Sequence, residues 1–341
     1  MNLDISLSLG IVGIVGFLLT FIALPSLISR LKSKGYESGD MNKPDKPKVA
    51  RIGGIAVFLG FIVAFLLPLQ LAQNSIMGDA LLAAALSISL IAFLGFADDI
   101  LDIPDIYRVI LPLFAALPLM LVKLGTSTMT LPFIGPVNLS LGTLVIPFLG
   151  PIGLNLYILI LIPIGVIACS NLINLLAGFN GLEAGSGIII SLFLIIILLM
   201  TGKSPAHTTA LFLAVALLSS LTAFLIFNWY PAKVFPGNIV TYLIGASVAA
   251  IVIIANIEKA GAILLLPQII EFILKALSKF QAENYGTPLP DGRLTYNGPT
   301  RSLTHLLMKM FRPTEPQLVL MLFGIQIVSG LLAVASVMFG I

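Results

Sequence analysis

The stretch GFADDILDIP, residues 95–104, places three carboxylates within five residues at the end of an apolar run. If the helix predicted over 79–97 continues, Asp98 and Asp102 lie four residues apart, Asp99 and Asp102 lie three apart, and all share one side. Charges near a membrane core repel one another and cost about 2.5–3.5 kcal/mol each by insertion scales. A divalent cation or a cationic substrate clamp offsets such a cost, so the pattern favours a functional site. The alternative is a solvated helix end that only reaches water.

A second polar stretch is ACSNLINLLAGFNGLEAGSG, residues 168–187, in which Asn171, Asn174, Asn180 and Glu183 follow an apolar run. Its glycines let a backbone approach a ligand closely, and exposed amides at a helix start favour anions. Asparagine side chains coordinate hard cations through their carbonyl oxygen. The pattern favours a binding site, and the alternative is a glycine-rich break whose asparagines cap helix ends.

The rest of the chain explains where such groups are placed. Hydrophobic residues make up 58% of the 341 residues and charged residues 10%, and the mean hydropathy is +1.10. Soluble domains carry about a quarter charged residues. Apolar runs of about 20 residues recur and can each cross a hydrocarbon core of roughly 30 Å. The single cysteine, Cys169, excludes a disulfide framework and a cysteine-based metal site.

These runs predict an all-α polytopic membrane protein, with residues 1–341 as one integral membrane domain. The ten predicted spans are 7–29, 52–72, 79–97, 109–124, 153–170, 184–201, 208–227, 239–256, 260–278 and 317–340. Fifteen of the 18 basic residues then fall on one side, which the positive-inside rule makes cytoplasmic. Both termini are expected outside, and both polar stretches are expected at the cytoplasmic face.

The loops carry weaker signals. Residues 125–152 on the outer side suggest an extended hairpin, and Asp291-Gly292 in the last cytoplasmic loop predicts a second hairpin turn. Residues 302–311 predict an interfacial helix with His305 and Lys309 on its polar face, where the histidine is expected at the surface. Arg108, taken alone, is either a membrane anchor or a phosphate-binding residue.

Together, GFADDILDIP, NLINLLAGFNGLEAG, VFPGN and the Gly53-Gly54 pair resemble the polyprenyl-phosphate N-acetylhexosamine-1-phosphate transferase family over essentially the whole chain. The segment NLLAGFNGLEAG is most similar to the branch that makes dolichyl-diphosphate N-acetylglucosamine. The resemblance implies a ten-span enzyme with a cytoplasmic site. It also implies the reaction of UDP-GlcNAc with a polyprenyl or dolichyl phosphate, releasing UMP, in lipid-linked glycan synthesis for protein glycosylation or the cell envelope. The implied cofactor is Mg²⁺, with Mn²⁺ as the alternative ion.

The same resemblance implies roles for individual residues. Asp98 and Asp99 are the expected catalytic residues, and Arg108 and Asn171 are expected at the lipid phosphate. Metal ligands are expected among Asn174, Asn238 and Asp99. The residues expected at the UDP-sugar are Gly39, Asp40, Met41, Lys43, Asn180, Glu183, Arg301 and His305.

Two positions depart from the family pattern. Gly237-Asn238 stands where the family usually has Gly-Asp, whose aspartate is a metal ligand, so weaker magnesium binding is expected. The Arg-His-Arg-x-Pro run of the family's last loop is missing from 279–301. Lys279, Arg293, Arg301 and His305 are the candidates for its diphosphate contacts.

Two alternative functions follow from the same features. The first is the same chemistry with another UDP-N-acetylhexosamine, such as a GalNAc-1-phosphate donor. The second is a transporter of nucleotide-sugars or lipid-linked sugars, although transporter sites lie near the midplane and often in repeats, which this chain does not show. No nucleic-acid partner is expected, and a homodimer is left open as the oligomeric state.

Overall fold

The computed structural model describes residues 3–71, 76–122, 128–131, 135–146 and 150–340. Apolar runs become helices here because a helix satisfies its backbone hydrogen bonds within one segment, as lipid requires. The helices, in chain order, are α1 (Leu3–Ser33), α2 (Gly54–Leu66), α3 (Ile76–Leu101), α4 (Asp105–Ala115), α5 (Leu117–Leu121), α6 (Ile162–Leu175), α7 (Leu182–Thr201), α8 (Pro205–Asn228), α9 (Asn238–Ala255), α10 (Glu258–Leu264), α11 (Leu266–Ala276), α12 (Leu303–Phe311) and α13 (Glu315–Phe339).

In the described part of the chain, seven helices are long and apolar enough to cross a membrane: α1, α3, α6 with the preceding π-helical turn Tyr157–Leu161, α7, α8, α9 and α13. The protein is therefore a helical, multi-pass membrane protein. Most predicted spans correspond to these helices, within a few residues at their ends.

Three predicted spans are short or interrupted. The span predicted at 52–72 is α2, 13 residues long, extended by the 3₁₀ turn Leu67–Leu71. The span at 109–124 divides into α4 and α5, and the span at 260–278 divides into α10 and α11. Both divisions precede a proline in the first turn of the second helix, Pro118 and Pro267, which cannot donate the backbone hydrogen bond of a continuous helix.

Helix α9 forms the centre of the bundle. All its residues from Ile239 to Ala255 are buried, and it packs against α2, α3, α6, α7, α8 and α10. Gly245 permits the closest approach, since a Cβ there would overlap the α6 backbone at Cys169 and Ser170. Because α9 cannot shift within this packing, the N-terminal residues of α9 are held at a defined place among the neighbouring helix ends.

Four antiparallel pairs of short strands complete the described structure. They are β1 (Glu37–Gly39) with β2 (Lys48–Ala50), β3 (Thr128–Leu131) with β4 (Gly135–Asn138), β5 (Ser140–Ile146) with β6 (Gly150–Asn155), and β7 (Thr287–Pro288) with β8 (Leu294–Thr295). The segment 125–152, predicted as one hairpin, thus takes part in two. Residues 125–127, 132–134 and 147–149 of that prediction lie outside the described residues. The pair β7–β8 encloses Asp291-Gly292.

Candidate active site

A cavity of about 750 Å³ lies where the ends of several helices meet on one side of the bundle. It is bounded by the C-terminal ends of α6 and α11, the N-terminal ends of α4, α7 and α9, and the loops 38–41, 177–179, 235–237 and 282–285. Since these segments are far apart in sequence, only the packing of the bundle brings them together. The second polar stretch lines this cavity, whereas the first contacts it through two lining residues, Arg108 and Asn238.

Asp98 connects two residues of the cavity wall. It is 3% exposed, one carboxylate oxygen lies 3.0 Å from the guanidinium of Arg108, and the other accepts a hydrogen bond of 2.8 Å from the side chain of Asn238. The backbone amide of Ile103 donates to the first oxygen at 3.0 Å. Arg108 also lies 3.3 Å from the fully exposed carboxylate of Asp102. The buried carboxylate and the guanidinium therefore form a charge-assisted pair at the edge of the cavity.

Asp99 holds the start of α9. One of its oxygens accepts from the backbone amide of Asn238 at 2.9 Å and the other from that of Ile239 at 3.3 Å. A carboxylate at a helix N-terminus satisfies amides that lack an intrahelical partner and interacts favourably with the helix dipole. Gly237, with φ of 73°, turns the chain into this helix, and Arg51 donates to the Asp99 carbonyl oxygen. The geometry gives Asp99 the role of joining α3 to α9.

The two asparagines of α6 that the sequence predicted as site residues take different positions. Asn174 lines the cavity, and its side-chain oxygen accepts from the Thr241 hydroxyl at 3.1 Å. Asn171, one turn earlier, donates to the carbonyl of Ile167 at 2.9 Å and to that of Arg108 at 3.4 Å. Asn171 therefore supports the start of α4, whereas Asn174 presents an amide to the cavity together with Asn238.

Four charged or polar residues join three distant chain segments beside the cavity. The Lys43 ammonium pairs with Asp40, lies 3.0 Å from the side-chain oxygen of Asn180 and lies 3.3 Å from Glu315. Asn180 donates to Asp40 at 3.0 Å through its side chain and to Glu315 at 2.8 Å through its backbone. The side-chain oxygen of Asn180 also accepts from the backbone amide of Ala232. All the polar groups of the asparagine side chain are thus used to hold the loops together.

The glycine-rich loop between α6 and α7 is fixed by its neighbours. Gly178, with φ of 105°, donates its amide to Glu183 at 2.8 Å and accepts at its carbonyl from Asn42 at the same distance. Gly39 and Met41 line the cavity beside this loop. The backbone of the loop therefore forms one wall of the cavity.

The last loop contradicts one expectation. His305 was expected on a polar surface, but its side chain is fully buried and stacks on Tyr296 with a ring separation of 3.6 Å. One ring nitrogen accepts from the backbone amide of Arg301 at 3.3 Å, so the other carries the proton and donates to the Glu283 carbonyl at 2.7 Å. Burial lowers the pKa of His305 below its ordinary value. The prediction was wrong because α12 folds back over the loop and uses its polar side for packing. Neither Arg301 nor His305 is among the residues that bound the cavity.

Comparison with known proteins decides the family. The model of glycosyl transferase family 4 matches residues 81–256, more than half of the chain. The chain belongs to glycosyl transferase family 4.

Several similar proteins match this chain over most of its length. A protein of Saccharolobus solfataricus, named as a candidate UDP-N-acetylglucosamine–dolichyl-phosphate N-acetylglucosaminephosphotransferase, is 37% identical over 322 residues, 94% of each chain. A protein of Sulfolobus acidocaldarius with the same name is 36% identical over 323 residues, again 94% of each chain. The UDP-N-acetylglucosamine–dolichyl-phosphate N-acetylglucosaminephosphotransferase of Dictyostelium discoideum is 32% identical over 292 residues, 75% of this chain and 68% of the relative.

The part matched by the family 4 model extends from α3 to α9, and it includes both polar stretches. Three residues outside it were missed by sequence reasoning. Glu315, 2% exposed at the start of α13, has the appearance of an ordinary helix N-terminal acid in the sequence. Lys275 and Tyr285 border the cavity from the region after α10, and burial raises the pKa of Tyr285 to about 12, so its hydroxyl keeps its proton. No local pattern distinguishes these residues from their neighbours.

Proposed function

We propose that this protein transfers N-acetylglucosamine-1-phosphate from UDP-GlcNAc to a dolichyl or other polyprenyl phosphate and releases UMP. Family membership and the names of the relatives support this reaction. The observation that carries it is the buried Asp98 held between Arg108 and Asn238 at the edge of a cavity large enough for a nucleotide-sugar. A soluble ligand and a lipid headgroup can meet there, because the cavity lies at the helix ends.

The reaction joins an oxygen of the lipid phosphate to the sugar-linked phosphorus and breaks that phosphorus's bond to the UMP oxygen. Both reactants are anionic, so positioning and charge compensation supply most of the catalysis. Arg108 binds the lipid phosphate, since its guanidinium is planar and donates to two oxygens at once. Asp98 holds Arg108 in place and orients or deprotonates the lipid phosphate. Asn171 supports the same place through the Arg108 carbonyl.

A divalent ion, Mg²⁺ with Mn²⁺ as the alternative, fits the donors on this side of the cavity. Asn174 and Asn238 provide amide oxygens, and the Asp98 carboxylate is in contact with Asn238. Mg²⁺ binds through one or two carboxylates together with waters and substrate phosphates. Asp99 was predicted as a further ligand, but we assign it the capping of α9 because both of its oxygens accept backbone amides. When bound, the ion neutralises charge on the diphosphate and polarises it.

The nucleotide part of the substrate is placed against the loops 38–41 and 177–179. Gly39, Asp40 and Met41 line the cavity there, and Glu183 fixes the glycine-rich loop. Asn180 was predicted as a direct uridine contact. We assign it and Lys43 to the support of this wall, because their polar groups already bind Asp40 and Glu315.

The orientation follows from the basic residues. The seven long helices each cross the membrane once, and α2, the pair α4–α5 and the pair α10–α11 add three further crossings, which makes ten. The cavity side then carries fifteen of the 18 basic residues, so it faces the cytoplasm and both termini lie outside. In this arrangement α12 lies at the cytoplasmic interface, with Leu306, Met310 and Phe311 exposed toward lipid.

The experiment is nucleotide release by the purified protein given UDP-GlcNAc, dolichyl phosphate and magnesium. We expect UMP that depends on the lipid, and a loss of about 10²-fold or more in Asp98→Asn, because preorganised charge is removed. Asp102→Asn is the matched control, since Asp102 contacts the same arginine but is fully exposed. Its rate should stay within a few-fold of the unsubstituted enzyme.

Other outcomes contradict the proposal in distinct ways. Release of UDP instead of UMP means direct glycosyl transfer. UMP release with another UDP-N-acetylhexosamine but not with UDP-GlcNAc changes the sugar and keeps the chemistry. Absence of any nucleotide product across several sugars and lipids refutes transfer and favours transport.

A further inference from the structure

The charged side chains that line the cavity are of both signs. Among the described residues that line the cavity, the cationic side chains are Arg108 and Lys275, whereas Asp40, Glu183 and Glu283 are acidic. Arg108 is already compensated by two aspartates at 3.0 and 3.3 Å. If Arg108 binds the lipid phosphate, a diphosphate in the same cavity needs a second cation, and Lys275 is the other one among these lining residues.

Lys275 lies in the last turn of α11 and lines the cavity. Its side chain is 8% exposed, and its ammonium donates to the carbonyl of Ala282 at 3.0 Å. This bond holds the chain 282–285 against the cavity. An ammonium has three donors, and the bond to Ala282 uses one of them. The carboxylates of Glu271 and Glu283 act on its charge, as two aspartates act on that of Arg108.

The position of Lys275 relates it to the nucleotide side of the cavity. Asn284, two residues beyond Ala282, donates to the carbonyls of Leu175 and Ala177 at 2.8 Å, at the start of the glycine-rich loop. Asp98 and Arg108 are the residues assigned to the lipid phosphate. The Lys275 ammonium therefore lies next to the glycine-rich loop, against which we place the nucleotide part of the substrate.

The other basic residues of this region are elsewhere. Arg293 pairs with Asp291 at 3.5 Å on the surface, and Lys279 is exposed. Arg301 donates its backbone amide to His305, and none of these residues borders the cavity. The candidates that the sequence offered for the diphosphate are thus replaced by a residue of the preceding helix.

We propose that Lys275 binds the diphosphate of the nucleotide-sugar, while Arg108 binds the lipid phosphate. The inference rests on the proposed function for the identity of the diphosphate. It assigns the two cations of the described cavity wall to two different phosphate groups, which keeps the donor and the acceptor lipid apart until they react. Loss of one charge-assisted hydrogen bond weakens binding about tenfold or more.

The test measures equilibrium binding of UDP, UMP and uridine to the purified full-length protein. In Lys275→Gln, which keeps an amide donor for the Ala282 carbonyl, we expect UDP to bind at least tenfold more weakly and uridine to bind as before. Lys275→Arg should restore UDP binding. Lys279→Gln is the matched control, since it removes an exposed lysine four residues away and should leave UDP binding unchanged.

Kinetics provide the second readout. Lys275→Gln should raise the KM for UDP-GlcNAc and leave the KM for dolichyl phosphate unchanged. A rise in the lipid KM alone assigns the cation to the lipid phosphate and overturns the proposal. Equal weakening of UDP and uridine also overturns it, because that result reports only a displaced 282–285 segment.

The failure of the proposed function is distinguishable. If the unsubstituted protein binds UDP and Lys275→Gln does not, the inference stands even where no UMP is released. If the unsubstituted protein and Lys275→Gln bind UDP equally while UMP is released, the function stands and the inference is wrong. If the unsubstituted protein does not bind UDP, both are wrong.

Discussion

The substitution Asn238→Asp tests the metal donors and the Asp98 contact together. The Asn238 side chain donates to Asp98 at 2.8 Å, so an aspartate removes this hydrogen bond and places a second carboxylate against the first. A hydrogen bond to a charged group contributes about 1.5–3 kcal/mol. Two unit charges about 4 Å apart repel by about 4 kcal/mol at an effective dielectric constant of about 20.

The repulsion has an upper bound. Protonating a carboxyl group of ordinary pKa at pH 7 costs roughly 4 kcal/mol, so a larger repulsion is relieved by uptake of a proton. In EDTA we therefore expect the free energy of unfolding of Asn238→Asp to fall by on the order of 3–5 kcal/mol. A bound divalent ion reverses this loss, because the second carboxylate becomes a ligand.

The assay is a pair of magnesium titrations, one of the rate of UMP release and one of the thermal midpoint of the detergent-solubilised protein. The variant should reach half its maximal rate at a magnesium concentration at least tenfold lower than the unsubstituted protein requires. Asn238→Ala is the control, since it removes the hydrogen bond without adding a ligand. It should lose stability in EDTA and gain no affinity for magnesium.

Two results would refute parts of the reasoning. If Asn238→Asp is as stable as the unsubstituted protein in EDTA, the contact with Asp98 contributes nothing measurable. If its stability falls in EDTA but its magnesium requirement does not change, the contact is correct and Asn238 is not a metal ligand.

Three further predictions follow from single contacts. Glu315→Gln removes the negative charge that pairs with its partner lysine, so the KM for UDP-GlcNAc should rise about tenfold while the KM for the lipid is unchanged. An equal rise in both KM values argues for a general packing defect. Gly237→Ala should abolish activity, because a Cβ there overlaps the Asp99 carboxylate. The control Gly35→Ala has a similar φ of 75° and no neighbour, so it shows only the backbone strain of about 1–3 kcal/mol. The pKa of His305 in the folded protein lies below its unfolded value near 6.5. The thermal midpoint should therefore fall as the pH drops below about 6.5, and His305→Phe should make the midpoint less dependent on pH. An unchanged pH dependence contradicts the burial of a neutral ring.

The order of elements was accessible from the sequence because it depends on local composition. Long apolar runs have one stable solution in lipid, so α3, α8 and α9 were predicted within a few residues of their observed ends. Interruptions were missed, since the proline at 267 lies inside a run that is apolar on both sides. Such a break changes the helix without changing the hydropathy that predicts a span.

The site was accessible in part for the same reason. The two short motifs indicated a functional site at Asp98, Asp99 and Asn174. Asn174 lines the cavity, and the two aspartates contact its lining residue Asn238. The separate roles of these residues could not be predicted from the sequence. A carboxylate that caps another helix and a carboxylate that pairs with an arginine have the same local sequence signal, and Asp99 and Asp98 are adjacent residues.

The amino-acid sequence by itself determined that this protein is a multi-pass membrane transferase of family 4 with acidic and amide residues at one face. Only the tertiary structure decided which distant residues join them. The backbone of Asn180 meets Glu315, 135 residues away, and Lys275 lines the cavity from the last turn of α11. His305 is buried against Tyr296 and the Glu283 carbonyl of the loop before α12. These contacts depend on how helix ends pack against one another, and no periodicity or spacing along the chain records that packing.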